Sequence, residues 1–120
     1  MSVETRTDDG IPDINYIGGW IECKWLRSWP KRAETPVRLD HPLMAHQAAW
    51  LRRRRRRGGL AWVILQCRRE WLLFDGVVAG KLLGTATKDE LYQLCHKRWV
   101  GLNEEELIDV ITNTKLPSLD

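Results

Sequence analysis

The stretch that decides the fold is residues 10–26, with the sequence GIPDINYIGGWIECKWL. After Pro12 the first half alternates polar and apolar residues, and the second half alternates again. Such alternation is typical of β-strands that bury one face. The Gly18-Gly19 pair between the halves is a common two-residue turn, so this stretch predicts a β-hairpin.

Polar side chains share one face of the predicted hairpin. A two-glycine turn pairs Asn15 with Glu22. It also pairs Asp13 with Lys24, and strand alternation places all four side chains on the same side. Asp13 and Glu22 are then diagonal neighbours, with Cβ atoms within roughly 7–8 Å of each other. Two such carboxylates can bind one Mg²⁺ or Mn²⁺ ion, with the backbone carbonyl of Cys23 as a further ligand. Lys24 would then orient a water molecule or offset developing negative charge.

The same face also has a purely structural interpretation. A glutamate and a lysine two positions apart are common on the exposed side of a strand, where Glu22 and Lys24 would form a surface ion pair. Trp20 and Leu26 favour a functional interpretation, because they add apolar walls to the charged face. Charged groups among apolar walls are typical of the floor of a cleft.

The remaining sequence predicts the other elements of a single domain over residues 1–120. A basic loop over 27–40 precedes a helix that begins near Asp40-His41-Pro42 and ends at Gly58-Gly59. Further predicted elements are a strand buried on both faces at 60–67, a strand at 71–74, a short strand or irregular segment at 77–83, a helix from the capping box at 87–90 and a helix after Asn103. This order predicts an α/β fold with a mixed β-sheet flanked by helices, in which a core over about 10–84 precedes C-terminal helices over about 87–114.

The ordered motifs resemble those of a nuclease superfamily. Gly10-Ile11-Pro12-Asp13, eight further residues and Glu22-Cys23-Lys24 are similar to the PD-(D/E)XK motif of restriction-endonuclease-like nucleases. The order of motifs continues with Gln47 on the next predicted helix and with Gly58-Gly59 before an apolar strand. This order is similar to that of small phage and prophage VRR-NUC-type nucleases. The resemblance covers residues 10–66.

This resemblance implies a restriction-endonuclease-like core and a set of catalytic residues. By analogy, Asp13 and Glu22 hold the metal ion, Lys24 assists the attacking water and Gln47 lies near the active centre. Related nucleases usually carry a further acidic residue on a helix before the motif. Here residues 1–9 precede it, which leaves three alternatives: Glu4, Asp8 or Asp9 takes that place, a second subunit supplies the acid, or the site is incomplete.

Positive charge is concentrated in the middle of the chain. Residues 24–69 carry 13 Lys and Arg against two acidic residues, whereas the net charge of the whole chain is +3. A run of arginines is often only a solvated helix face. Its guanidinium groups also suit phosphate oxygens, and no base-reading motif is present, so DNA recognition by backbone or shape is expected. The candidate contacts are Arg27, Lys31, Arg32, Arg38, Arg52, Arg53, Arg55, Arg56, Arg68 and Arg69.

Together these features predict a metal-dependent DNA endonuclease that is selective for branched or Holliday-junction DNA. Two alternatives stay open: a nuclease-like fold that binds DNA without cutting it, and a basic adaptor for RNA or an acidic protein. Trp25 and Trp29 near the basic loop would pack in the core or stack on unpaired bases. A homodimer is expected, because the abbreviated N-terminus leaves a sheet edge or apolar face that a second copy would cover, with residues from Val77 onward or the N-terminal segment at the interface.

Composition narrows the class of protein further. The chain is 43% hydrophobic and 29% charged, as in ordinary soluble globular proteins. No apolar run approaches the ~20 residues that span a bilayer, so no membrane association is expected. Three scattered cysteines argue against a disulfide framework or a zinc ribbon and favour a reduced, intracellular environment. The resemblance to phage and prophage nucleases implies the cytoplasm of a bacterium or a phage-infected cell.

Overall fold

The computed structural model describes residues 14–16, 19–39, 45–57 and 59–116, which form an α/β arrangement of five strands and four helices. The strands are β1 (Ile14–Tyr16), β2 (Gly19–Leu26), β3 (Leu60–Cys67), β4 (Glu70–Asp75) and β5 (Lys97–Val100). The helices are α1 (Ala45–Arg56), α2 (Gly76–Leu82), α3 (Lys88–Leu94) and α4 (Glu104–Asn113). No helix among the described residues is long and apolar enough to cross a membrane.

The strands form one mixed sheet in the order β1-β2-β3-β4-β5. β2 and β3 are parallel, and the other neighbouring strands are antiparallel. The parallel pair requires a crossover connection, which is supplied by α1 and the loop before it. The predicted α/β class and mixed sheet are therefore confirmed.

The sheet is covered by helices on both faces, so its central strands bury residues on both sides. β3 alternates between the two cores, as its continuous apolar sequence predicted. One core lies under α1, α2 and α3 and includes Leu51, Val63, Leu72, Phe74, Ala79 and Leu91. The other core lies under α4 and includes Trp62, Ile64, Leu73, Trp99, Leu107 and Ile111.

The hairpin is present, but its register differs from the predicted one. Asn15 lies opposite Trp20 rather than Glu22, and Tyr16 lies opposite Gly19. Gly19 belongs to β2 because it also pairs with Leu60 at the start of β3, so the long parallel pairing extends the strand into the expected turn. The shift is two residues, and a shift by an even number leaves Glu22 and Lys24 on the predicted face of β2.

The segment predicted as a short strand or irregular stretch at 77–83 is instead helix α2. Asp75 begins this helix by accepting a hydrogen bond from the backbone N–H of Val77 at 3.1 Å. Gly76 lies so close to β3 that a Cβ atom there would come within 3.0 Å of the Ala61 carbonyl oxygen. The Asp75-Gly76 pair thus starts a helix packed tightly against the sheet, although it resembles a simple turn in the sequence.

The C-terminal region contains a strand that the sequence did not reveal. β5 interrupts the expected helical region over 87–114 and pairs with β4, where Trp99 lies opposite Trp71. Four residues are too few to show a clear alternation in the sequence. The strand therefore depends on its pairing with β4. The two helices around it are confirmed: Thr87 and Glu90 form the predicted capping box, and Asn103 caps α4.

Candidate catalytic cluster and nucleic-acid interface

Three of the predicted catalytic residues meet where β2 lies under α1. Glu22 and Lys24 are two apart on β2, so their side chains leave the strand on the same face. Gln47 lies in the first turn of α1, which packs on that face through Leu51. The fold therefore brings together residues that are 25 positions apart in the sequence.

Glu22 is the centre of this catalytic cluster. Gln47 Nε2 donates a hydrogen bond to Glu22 Oε1 at 2.7 Å. Lys24 Nζ lies 3.4 Å from the same oxygen and 3.3 Å from Gln47 Oε1, to which it donates. Trp20 Nε1 lies 3.5 Å from the other carboxylate oxygen, Oε2. Glu22 is only 6% exposed, so this charge depends on its partners rather than on bulk water.

A pocket opens beside the cluster. It has a volume of about 310 Å³ and is lined by Glu22 and Gln47, by the apolar side chains of Trp20, Trp50 and Leu51, and by His46 and Arg53. Apolar walls around a carboxylate lower the local dielectric, which strengthens the electrostatic interactions there. The prediction that Trp20 adds an apolar wall to the charged face agrees with this geometry.

Asp13, the second predicted metal ligand, lies outside the described residues. It directly precedes Ile14, whose partner across the hairpin is Ile21, and Ile21 directly precedes Glu22.

The described residues supply part of the donor set for a hard divalent cation. Glu22 provides a carboxylate, and the adjacent Cys23 provides the backbone carbonyl that the sequence analysis proposed as a ligand. Oxygen donors of this kind suit Mg²⁺ or Mn²⁺. Within residues 14–16, 19–39, 45–57 and 59–116, no group of three or more His, Cys, Asp or Glu side chains is placed so that it could hold a metal ion.

The structure separates the arginines of α1 into two groups. Arg55 is 5% exposed and forms an ion pair with Asp75, with Nε–Oδ1 and Nη2–Oδ2 distances of 3.1 and 3.3 Å. It holds α1 against the start of α2, so we leave it out of the proposed DNA contacts. Its neighbours Arg52, Arg53 and Arg56 are exposed.

The other predicted contacts lie on loops at one edge of the sheet. Leu26 and Cys67 are Cα partners at the carboxyl ends of β2 and β3. Arg27 follows the first of these strands and Arg68 follows the second, so both lie at this edge. The exposed basic residues of these loops are Arg27, Lys31, Arg32, Arg38, Arg68 and Arg69.

Trp29 has a structural role that the sequence left open. Its indole N–H donates a hydrogen bond to Glu70 of β4, and its ring contacts Tyr92 of α3 at 5.8 Å between centroids. Tyr92 and Arg98 also donate to Glu70. Trp29 thus fastens the basic loop to the sheet and α3, which favours packing over base stacking.

Burial and hydrogen bonding shift the pKa values of two groups in this cluster, Glu70 and Tyr92. Burial alone would raise the pKa of Glu70, but the hydrogen bonds from Tyr92 and Trp29 and the positive charge of Lys88 lower it overall. Burial, together with the hydrogen bond to Glu70 and its charge, raises the pKa of Tyr92 to about 12. The cluster is therefore held together by an ionised glutamate and a neutral tyrosine.

Trp50 is a site residue that the sequence analysis did not select. It lies on α1 three positions after Gln47 and contacts Trp20, with ring centroids 5.1 Å apart and an interplanar angle of 66°. Residues three or four apart share one face of a helix. The spacing of Gln47, Trp50 and Arg54 therefore indicated that Trp50 lies on the same face as Gln47. The Arg54 guanidinium lies 5.6 Å from the centroid of the Trp50 ring.

Comparisons with known proteins do not assign the chain to a family. No family model matches it, and searches of curated proteins and of solved structures also find no match. The geometry of the described residues and the motif in the sequence are therefore the evidence that bears on function.

Proposed function

We propose that this protein is a metal-dependent DNA endonuclease with a restriction-endonuclease-like core. The observation that carries the proposal is the cluster of Glu22, Lys24 and Gln47 within hydrogen-bond distance of one another. A buried carboxylate, an ammonium group and an amide at the mouth of a pocket form a set suited to phosphodiester hydrolysis. These are three of the four residues selected from the resemblance to PD-(D/E)XK nucleases.

Each residue has a distinct role in the proposed site. Asp13, Glu22 and the backbone carbonyl of Cys23 would hold Mg²⁺ or Mn²⁺, which supplies Lewis acidity and makes bound water more acidic. Gln47 fixes the orientation of the Glu22 carboxylate through its 2.7 Å hydrogen bond. Lys24 places a positive charge beside this carboxylate, where it can stabilise negative charge that develops on the phosphate.

The exposed arginines support DNA as the substrate. Arg53 lies on the helix that also carries Gln47 and lines the pocket beside Glu22, so a phosphate bound by Arg53 would lie close to the catalytic cluster. Arginine contacts to phosphate fix the position of a duplex without reading its sequence. This arrangement favours recognition of DNA structure, such as a branched or four-way junction.

A DNA-binding protein that does not cleave is the second candidate. One observation favours it: Oε1 of Glu22 is already contacted by both Gln47 and Lys24. Lys24 supplies an opposite charge to this oxygen, and Gln47 supplies a hydrogen bond. If they remain in place when DNA is bound, the exposed arginines would still hold the backbone while hydrolysis would not occur.

A cleavage assay with Mg²⁺ or Mn²⁺ on linear, flapped and four-way DNA tests the proposal. The key variant is Glu22→Gln, which keeps the side-chain shape but removes the charge, and Glu105→Gln on the exposed surface of α4 is its matched control. We expect the wild type and the control to cut, and Glu22→Gln to lose at least ~10²-fold in rate. Equal cutting by both variants, or DNA binding by the wild type without cutting, contradicts the nuclease assignment.

A further inference from the structure

Two pockets adjoin on α1 and share a wall. The first is the apolar pocket of about 310 Å³ beside Glu22 and Gln47. The second has a volume of about 300 Å³ and is lined by Arg53, Arg54, Arg57 and Gly59. Trp50 and Arg53 line both pockets, so an apolar compartment and a strongly basic compartment lie side by side next to the catalytic cluster.

Trp50 forms the boundary between the compartments. It is 36% exposed, although its ring already packs edge-on against Trp20 on β2. An indole that stays accessible beside a pocket can accept a flat ring, which a fully packed core tryptophan cannot. Trp20 and Trp50 together provide aromatic surface at two angles, 66° apart, on one side of the apolar pocket.

The basic compartment is suited to a phosphate group. Gly59 has no side chain, and a Cβ atom there would lie 3.1 Å from Cγ of Arg54, so glycine leaves room for this arginine. Nε of Arg54 is buried and has no hydrogen-bond partner among the described residues. Arginines in the last turn also offset the helix dipole, but that effect alone would not require an aromatic pocket next to them.

We infer that the two compartments bind one unpaired nucleotide of a DNA substrate. The base lies in the apolar pocket against Trp50 and Trp20, and a phosphate lies on Arg53, Arg54 and Arg57. Every nucleobase has an aromatic face, and an arginine fork matches phosphate oxygens, so both halves of a nucleotide find a complementary surface. The inference deepens the proposed function and rests on it: the preferred substrate has an unpaired nucleotide next to the phosphodiester at Glu22.

Binding measured without metal tests this inference separately from cleavage. The probes are a fluorescein-labelled blunt duplex and the same duplex with a short single-stranded extension, titrated in EDTA and followed by anisotropy. We expect the wild type to prefer the extended duplex, and Trp50→Ala to weaken binding to it by about tenfold while binding to the blunt duplex hardly changes. Leu94→Ala, at an exposed apolar residue of α3, is the control and should keep the preference.

A second measurement uses the unaltered protein, in case Trp50→Ala does not fold. 2-Aminopurine replaces the first unpaired base of the extension, and stacking of this base on an indole should lower its fluorescence at saturation. Unchanged fluorescence, or an equal loss of affinity of Trp50→Ala for both probes, overturns the inference. Selective binding by a wild-type protein that cuts no DNA would support the unpaired-nucleotide site and refute the nuclease proposal.

Discussion

Gln47 on α1 donates a 2.7 Å hydrogen bond to the buried carboxylate of Glu22 on β2, and this contact ties the first helix to the proposed catalytic strand. A buried charge is stable only where hydrogen bonds and opposite charge replace its lost hydration. Gln47 and Lys24 provide this replacement from two different elements. The contact therefore bears on both the stability and the proposed chemistry of the site.

Removal of the Gln47 amide should destabilise the protein. Gln47→Ala leaves Glu22 buried with one hydrogen bond fewer, and we expect the free energy of unfolding to fall by about 1–3 kcal/mol. Urea denaturation followed by circular dichroism measures this change. Gln93→Ala, at an exposed glutamine of α3, is the control and should cost much less. Equal losses in the two variants would mean that the hydrogen bond to Glu22 does not contribute.

Removal of the Lys24 charge should impair cleavage more than DNA binding. Lys24→Met keeps the aliphatic stem but removes the ammonium group that lies 3.4 Å from Glu22. We expect the rate of DNA cleavage to fall by on the order of 10²-fold, as for the loss of one transition-state stabiliser. Lys81→Met, at an exposed position of α2, should cut at the wild-type rate. Folding is checked by thermal denaturation, because Lys24 is also the ionic partner of a buried acid.

The positions of Glu22 and Lys24 on one face could be predicted because a strand alternates its side chains with a period of two. That period does not depend on register, so the prediction holds although β1 and β2 pair two positions away from the expected register. The partnership with Gln47 came only from the resemblance to a family. No local pattern links residues 25 positions apart, and the crossover between β2 and β3 is what brings them together.

The elements that could not be predicted depend on contacts distant in sequence. α2 has two glycines and two valines in seven residues, a poor helix former by composition, and is stabilised by its Asp75 cap and by packing on β3. Arg55 lies four residues after Leu51 and shares its buried face of α1, so helical spacing distinguishes it from the other arginines of the run. Its ionic partner Asp75, 20 residues later, could not be predicted from a local pattern.

The two groups of arginines should respond differently to substitution. Arg55→Ala leaves Asp75 unpaired in a mostly buried site, so we expect a loss of about 3–5 kcal/mol in the free energy of unfolding. Arg52→Ala and Arg53→Ala remove exposed charges and should change stability little. They should instead weaken DNA binding and reduce the log–log slope of affinity against salt by about one for each lost phosphate contact. If Arg55→Ala instead weakened DNA binding without a loss of stability, the structural role of Arg55 would be contradicted.

The predicted homodimer can be tested at the outer strand of the sheet. β5 is the last strand in the order, and Val100 at its end is 62% exposed, so a second copy could pair with this edge and cover Val100. We expect sedimentation at micromolar concentration to show twice the chain mass of 14.0 kDa. Val100→Lys should shift the equilibrium toward monomer, whereas Thr112→Lys on α4 should not. A wild-type species of 14.0 kDa refutes the dimer.

The Glu70 cluster should make stability depend on pH in the acid range. The folded protein lowers the pKa of Glu70 from its usual value of 4.5, so the unfolded chain binds the proton more tightly. The resulting stabilisation is present above pH 4.5 and is lost as the pH falls through the lower folded value. Glu70→Gln cannot ionise, so its deficit in unfolding free energy should be largest near neutral pH and should shrink below pH 4.5.

Chemical denaturation of wild type and Glu70→Gln over a series of pH values measures this difference. Glu34→Gln, at an exposed glutamate of the basic loop, is the matched control, and its curve should run parallel to that of the wild type. The indole Nε1–H resonance of Trp29 in ¹⁵N NMR spectra gives a local readout, because this N–H donates to Glu70 and should lose this acceptor charge on acidification. A deficit of Glu70→Gln that stays constant through the acid range would mean that hydrogen-bond geometry, rather than the charge of Glu70, holds the basic loop to β4 and α3.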